Sequence, residues 1–137
     1  MTQKLTTMAT VGIAMLLASD AHAQAKADKL LLKNGEQHVL TYNAGFVKSP
    51  QQDAPWYGRS GFIHPVKSPQ GKVLTDPFPA DHRHQHALMF AWTNVMIDGR
   101  KVDFWNSQRK QGRIEHVGTT EAGPSAVTVT LRHVDLT

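Results

Sequence analysis

The segment "DHRHQH", residues 81–86, places three histidines at every second position directly after an aspartate. In a β-strand successive side chains point to opposite faces, so an extended conformation puts His82, His84 and His86 on one face. Imidazole titrates near neutral pH and can give and take protons, and a neighbouring carboxylate such as Asp81 can fix its tautomer. The spacing therefore predicts acid–base chemistry on a polar substrate, with these four residues as the catalytic candidates.

The same three histidines are also suited to binding a metal ion. Neutral imidazole is the commonest metal-binding side chain, and a metal site needs three or four ligands that converge on one point. Residues two apart on a strand supply two ligands, and neighbouring strands must supply the others. A copper or zinc centre on His82, His84 and His86 is therefore the alternative, and the cofactor stays open. A third interpretation is a non-catalytic structural module, in which the histidines are polar residues at a strand end.

Four more residues are candidates for substrate binding: Arg59, His64, Trp105 and His116. Arg59 stands in the stretch "WYGRSGFIHP", where it could clamp a carboxylate or phosphate through two hydrogen bonds, or tie the loop down by a salt bridge. Trp105 could offer a flat face to a sugar ring, with a core position as the alternative. His64 and His116 lie in neighbouring strand patterns and could complete the set of polar groups around the histidine cluster.

Turn signals separate short apolar runs along most of the chain. Asn34-Gly35 is the strongest hairpin signal, because both turn positions need a positive φ. Residues 68–71 and 98–99 also predict turns, and residues 86–97, the most apolar segment, are typical of a buried strand. No amphipathic helix with caps follows residue 23. The expected fold is all-β, an antiparallel β-sandwich with a core that includes Met89, Phe90 and Phe104.

The first 23 residues have the pattern of a secretory signal peptide. Lys4 gives a basic start, residues 8–18 form an apolar run, and Ala21-His22-Ala23 is an A-x-A cleavage pattern. The run has about half of the ~20 residues that a membrane span needs. We therefore expect a secreted or periplasmic protein with no membrane segment after cleavage, in which residues 24–137 belong to one domain. The chain has no cysteine, which excludes disulfides.

The charge pattern argues against nucleic acid as a partner. The net charge is +4, and the basic residues are scattered, with no run longer than a pair such as Arg100-Lys101. A nucleic-acid-binding protein needs its basic residues clustered on one face. The partner expected from the histidines, the arginine and the tryptophans is a carbohydrate. The oligomeric state is left open by the sequence.

Several motifs, taken in order, resemble a known family. They are "LTYNAG", "GRSGFIHP", "DHRHQH", "DFWN" and "GRIEHVG", which lie between about Leu40 and Gly118. This ordered set resembles the secreted bacterial domain family that carries the label methane oxygenase PmoA. Any one of these motifs alone is weak, and the specificity comes from their order.

The resemblance implies a fold and a chemistry. It implies a large antiparallel β-sandwich similar to the supersandwich of galactose mutarotases and carbohydrate-binding proteins. Enzymes of that architecture use a histidine as acid and a carboxylate as base on a sugar. The family domain is roughly twice the length of residues 24–137, so these residues are expected to form its N-terminal portion. The label would extend the copper or zinc alternative to an oxygenase.

Overall fold

Residues 27–137 form eight β-strands and two short 3-10 turns in the computed structural model, which describes this part of the chain. The predicted signal peptide, residues 1–23, lies outside the described residues. The strands are β1 (Lys29–Asn34), β2 (Gln37–Asn43), β3 (Phe62–Val66), β4 (Leu88–Met89), β5 (Val95–Ile97), β6 (Arg100–Val102), β7 (Gly112–Ala122) and β8 (Val127–Asp135). The 3-10 turns are Pro55–Tyr57 and Ser107–Arg109.

All strand pairs are antiparallel, and they form three sheets. The first sheet has four strands in the order β1-β2-β3-β4, whereas β5-β6 and β7-β8 are two-stranded. Within the first sheet, Tyr42 pairs with both Leu30 and Ile63, which fixes the register of its first three strands. The all-β, antiparallel prediction is therefore confirmed. Within residues 27–137 no helix is long and apolar enough to cross a membrane.

The hairpin turns form where the sequence allows a positive φ. Gly35, which follows Asn34, has φ +59° in the turn between β1 and β2. Asp98 and Gly99 have φ values of 46° and 77° between β5 and β6, as a two-residue turn requires. In the turn at residues 68–71, the Gly71 amide donates to the Ser68 carbonyl at 2.9 Å. The turns at residues 68–71 and 98–99 are confirmed. The hairpin between β1 and β2 is also confirmed, but its two turn residues are Gly35 and Glu36, because Asn34 is the last residue of β1 and pairs with Gln37.

The three sheets meet around the β7-β8 hairpin. On one side, Val102, Phe104 and Ile114 form a buried cluster, against which Leu131 of β8 packs. On the other side, the Tyr42 hydroxyl and His116 Nδ1 form a hydrogen bond of 2.9 Å. This hydrogen bond joins the four-stranded sheet to β7.

The apolar segment at residues 86–97 differs from its prediction. It forms two short strands, β4 and β5, instead of one buried strand. Phe90 is 57% exposed and packs edge-on against Trp92, and Met89 is only partly buried. The core assignment is therefore wrong for Phe90 and correct for Phe104. The reason is that β4 pairs with β3 for two residues only, so the chain leaves the sheet before Phe90.

The burial of Phe62 predicts a large difference between two phenylalanine substitutions. Phe62 is 2% exposed in β3, so Phe62→Ala should lower the free energy of unfolding by about 3–5 kcal/mol, as for other buried aromatic residues. The matched control Phe90→Ala removes an exposed ring and should change it by less than about 0.5 kcal/mol. Urea denaturation measures both changes. Equal losses in the two variants would contradict the placement of the core.

Candidate functional site

The histidine segment is a series of turns and not a strand. The His82 amide donates to the Pro79 carbonyl at 3.1 Å, and the Gln85 amide donates to the His82 carbonyl at 2.8 Å. Two prolines, Pro77 and Pro79, precede these turns and restrict the backbone before them. The segment therefore bonds to itself, and β4 begins only at Leu88. The expectation that one strand face carries all three imidazoles is wrong.

The three imidazoles lie in different surroundings. His82 is exposed, and its Nδ1 lies 3.0 Å from the carboxylate of Asp81, which is also exposed. His84 is partly buried, with its ring 6.1 Å from that of His82. Burial and the neighbouring His82 both lower the pKa of His84, whereas Asp103 opposes them. His86 is 1% exposed, so burial increases steadily along the segment.

His86 is held in one orientation by an aromatic cage and one hydrogen bond. The rings of Phe62 and Phe78 lie 5.6 Å and 4.8 Å from its ring. Its Nε2 donates to the Tyr57 carbonyl at 2.6 Å, so the neutral ring carries its proton on Nε2. Burial lowers the pKa of His86 to about 4, although the backbone carbonyls of Tyr57 and His84 both oppose this shift. His86 Nδ1 is therefore a hydrogen-bond acceptor at neutral pH, and it is buried without a partner in the described residues.

A pocket of about 230 Å³ lies beside His84 and His86. Its wall brings together side chains from four separate segments of the chain. The lining residues are Phe46, Trp56, Gly58, Arg59, Ser60, His84, His86, Phe104, Trp105, Ser107, Gly112, Arg113, Ile114 and Glu115. Four of the residues predicted from the sequence therefore meet here: Arg59, His84, His86 and Trp105.

Arg59 is a largely buried cation in the wall of this pocket. Its Nε donates to the Ser60 carbonyl at 3.2 Å and its Nη1 donates to Met89 Sδ at 3.1 Å. Its Nη2 is buried and has no partner in the described residues. Burial lowers the pKa of Arg59 to about 10, partly opposed by Tyr42, so the guanidinium is charged at neutral pH. Of the two roles expected from the sequence, the salt bridge within the loop is absent from residues 27–137.

Asp103 positions the tryptophan side of the pocket. This buried carboxylate accepts hydrogen bonds from the amides of Trp105 and Asn106 at 2.9 Å and 2.8 Å. Arg109 Nη1 lies 3.2 Å from the same carboxylate. Burial acts to raise the pKa of Asp103, but the hydrogen bonds from Asn106 and Trp105 outweigh it and the pKa stays low. The ionised carboxylate therefore fixes the turn that carries Trp105 and Ser107.

Two predicted site residues, His64 and His116, lie outside the lining of this pocket. His64 Nδ1 is 2.9 Å from the Thr75 hydroxyl, and burial lowers its pKa despite the nearby Asp76. His116 is a buried residue of β7 that contacts Tyr42 of β2. Together with Ser60 it lines a neighbouring, more open pocket. Asp81 and His82 are also outside the lining. Of the eight predicted site residues, four therefore line the pocket and four lie outside it.

The described part of the chain contains no set of side chains that could bind a metal ion. Within residues 27–137 no group of three or more histidine, aspartate or glutamate side chains is arranged to hold a metal ion. The physical reason is the turn conformation of residues 81–86. It leaves His82 in solvent and puts His86 inside an aromatic cage.

One protein family matches most of the chain. Residues 29–136 match the family of unknown function DUF6807. The chain belongs to this family. The DUF6807 match begins at the first residue of β1 and ends one residue after β8, so it includes every residue of the pocket. No curated protein and no solved structure matches the chain.

Sequence reasoning missed two residues that line the pocket, Ser107 and Phe46. It named Asp103 as a possible additional metal ligand, but not for its observed role, which is to orient one wall of the pocket. Asp103 offered a signal, because an aspartate two residues before a tryptophan can cap a following turn. Ser107 and Phe46 offered none, because their place in the wall depends on how the sheets pack.

The buried neutral His86 predicts a pH-dependent stability. Its pKa is about 4 in the folded protein and close to 6.5 in the unfolded chain, so between these values the unfolded chain binds one more proton. The free energy of unfolding should therefore fall as the pH drops from 7 to 4, by up to about 3 kcal/mol from this group. His86→Gln, which can still donate to the Tyr57 carbonyl, should flatten that slope.

Urea denaturation at several pH values measures this slope. The matched control is His82→Gln, which replaces an exposed histidine and should leave it unchanged. Burial also lowers the pKa of three other histidines: His64, His84 and His133. Their contribution to the pH dependence of the free energy of unfolding remains in both variants. An unchanged slope in His86→Gln would show that His86 is not held neutral.

Proposed function

We propose that this pocket binds a small carbohydrate, and that the protein is a secreted or periplasmic carbohydrate-binding or carbohydrate-active protein. One observation carries the proposal. Among the described residues, four buried side-chain polar atoms have no hydrogen-bond partner. Three of the four belong to residues that line the pocket: Arg59 Nη2, His86 Nδ1 and Ser107 Oγ.

Such atoms are rare in folded proteins because each is costly. Leaving one buried donor or acceptor without a partner costs about 1–3 kcal/mol. Three in one pocket suggest that a polar ligand supplies the missing partners. Arg59 Nη2 can only donate, His86 Nδ1 accepts, and the Ser107 hydroxyl can do either. A ligand that satisfies all three needs both donors and acceptors close together, as the hydroxyl groups of a sugar provide.

The rest of the wall is aromatic, which suits the apolar faces of a sugar ring. Phe46, Trp56, Phe104 and Trp105 all line the pocket. Lys110 lies 4.3 Å from the centre of the Trp56 ring. This cation–π contact holds that ring in place. The volume of about 230 Å³ is below the range of about 300–1,000 Å³ typical of drug-sized ligands. The pocket therefore fits one sugar ring better than an oligosaccharide.

The two histidines of the wall have different roles in this proposal. His86 is buried and neutral, and it acts as a fixed hydrogen-bond acceptor. His84 is more exposed and has no hydrogen bond from its ring in the described structure. It is free to exchange protons with solvent, which a general acid or base requires. In a carbohydrate-active protein, His84 is therefore the candidate for proton transfer.

A panel of monosaccharides and sugar acids tests the proposal. At about 100 times its Kd, a bound sugar should raise the free energy of unfolding by about 2.7 kcal/mol, measured as a rise in Tm. Trp105→Ala should abolish this rise. Trp92→Ala, which removes an exposed tryptophan outside the pocket, should keep it.

A gentler variant tests the unpartnered atoms directly. Ser107→Ala removes one hydroxyl and should weaken sugar binding by about 2- to 10-fold, the value of one hydrogen bond. The control Ser125→Ala, on an exposed turn, should leave the affinity unchanged. If no sugar of the panel changes Tm in the folded wild-type protein, carbohydrate binding by this pocket is refuted.

A further inference from the structure

We infer that the ligand of this pocket is a sugar that carries a carboxylate, such as a hexuronic acid. This inference rests on the proposed carbohydrate function and narrows its ligand class. The reason is the buried guanidinium of Arg59, which has no countercharge among residues 27–137. A buried charge without an opposite charge is costly, and proteins normally pair it.

The carboxylates nearest to the pocket are already paired with other cations. Asp103 is paired with Arg109 at 3.2 Å, on the tryptophan side. Glu115, which lines the pocket, lies 2.7 Å from Arg132 and is also paired with Arg113. Within residues 27–137, Arg59 therefore has no aspartate or glutamate partner.

The balance of charge around Glu115 strengthens this conclusion. Two arginines contact this one carboxylate, so the three side chains together leave one positive charge at the edge of the pocket. Arg59 adds a second positive charge inside it. No lining residue other than Glu115 is acidic. The electrostatic field in the pocket therefore favours an anion.

The hydrogen-bonding groups specify the kind of anion. A carboxylate oxygen can accept from Arg59 Nη2 in a charge-assisted hydrogen bond. A ring hydroxyl of the same molecule can donate to His86 Nδ1, which at neutral pH only accepts. Chloride, nitrate and sulfate have no hydroxyl for that second bond. A phosphate ester presents three charged acceptor oxygens, whereas Arg59 Nη2 is the one buried charged donor among the lining residues that has no partner within residues 27–137.

The experiment compares matched ligands on the wild-type protein by titration calorimetry. Glucuronate, galacturonate and mannuronate are each measured against the neutral parent sugar and the methyl ester of the acid. The ester keeps the ring and the shape of the carboxyl group but removes its charge. At least one acid should bind about 10- to 100-fold more tightly than its ester, the ratio expected for a hydrogen bond to a charged group.

Variants of Arg59 then assign this preference to one side chain. Arg59→Gln should reduce the ratio of acid to ester affinity to about one, while the neutral sugar still binds. Arg59→Lys keeps the charge but loses the planar fork, and it should keep part of the ratio. The control Arg100→Gln removes an exposed arginine that is paired with Asp135 and lies outside the lining of the pocket, and it should leave the ratio unchanged.

The outcomes separate this inference from the function on which it rests. Equal binding of an acid and its ester overturns the acidic ligand but leaves carbohydrate binding intact. No binding of any acid, ester or neutral sugar overturns both. Tighter binding of glucose 6-phosphate than of every uronic acid, or equally tight binding of acetate, overturns the carboxylated sugar. Because the acid and its ester are compared on the wild-type protein, the test stands even where Arg59→Gln does not fold.

Discussion

The contacts of His116 join the two sheets that form the pocket. Its backbone amide donates to Ser60 Oγ, and its ring Nδ1 forms a hydrogen bond with the hydroxyl of Tyr42, both at 2.9 Å. Burial raises the pKa of Tyr42 to about 12, so this hydroxyl stays protonated at neutral pH. Gly61 permits the approach, because a Cβ at this position would lie 2.6 Å from Leu131 Cδ2. Arg59 is adjacent to this contact, so its place in the pocket depends on it.

The unpartnered polar atoms of the pocket lower the free energy of unfolding of the protein. Asp103 and its partners show the usual solution for a buried polar group, since all its bonds are made within the chain. Arg59, His86 and Ser107 lie close by and do not follow that rule. Proteins tolerate unpaired buried groups mainly at sites where another molecule completes them. Asp103 therefore maintains the structure of the wall, whereas the other three residues keep polar atoms that the described part of the chain leaves without partners.

The sequence predicted local features well and the site only in part. The turns at Gly35 and Asp98-Gly99 depend on backbone preferences of the residues themselves, so they could be read directly. The conformation of residues 81–86 depends on a competition between strand pairing and local hydrogen bonds, and the alternating histidines gave no sign of its outcome. The burial of His86 depends on the ring of Phe62 in β3 as well as on the nearby ring of Phe78. Arg59 was correctly chosen as a candidate, but its lack of a countercharge is a property of the assembled sheets.

The wall of the pocket is drawn from segments around residues 46, 59, 85 and 110, which are far apart along the chain. No single hairpin contains enough of the wall to recognise a ligand, so binding begins only when the sheets have come together. Such distant contacts form late in folding, because their chain-entropy cost must be met first. A ligand that recognises only the completed wall stabilises the native state more than the transition state. Its main kinetic effect is then to delay unfolding, which lengthens the lifetime of the native protein.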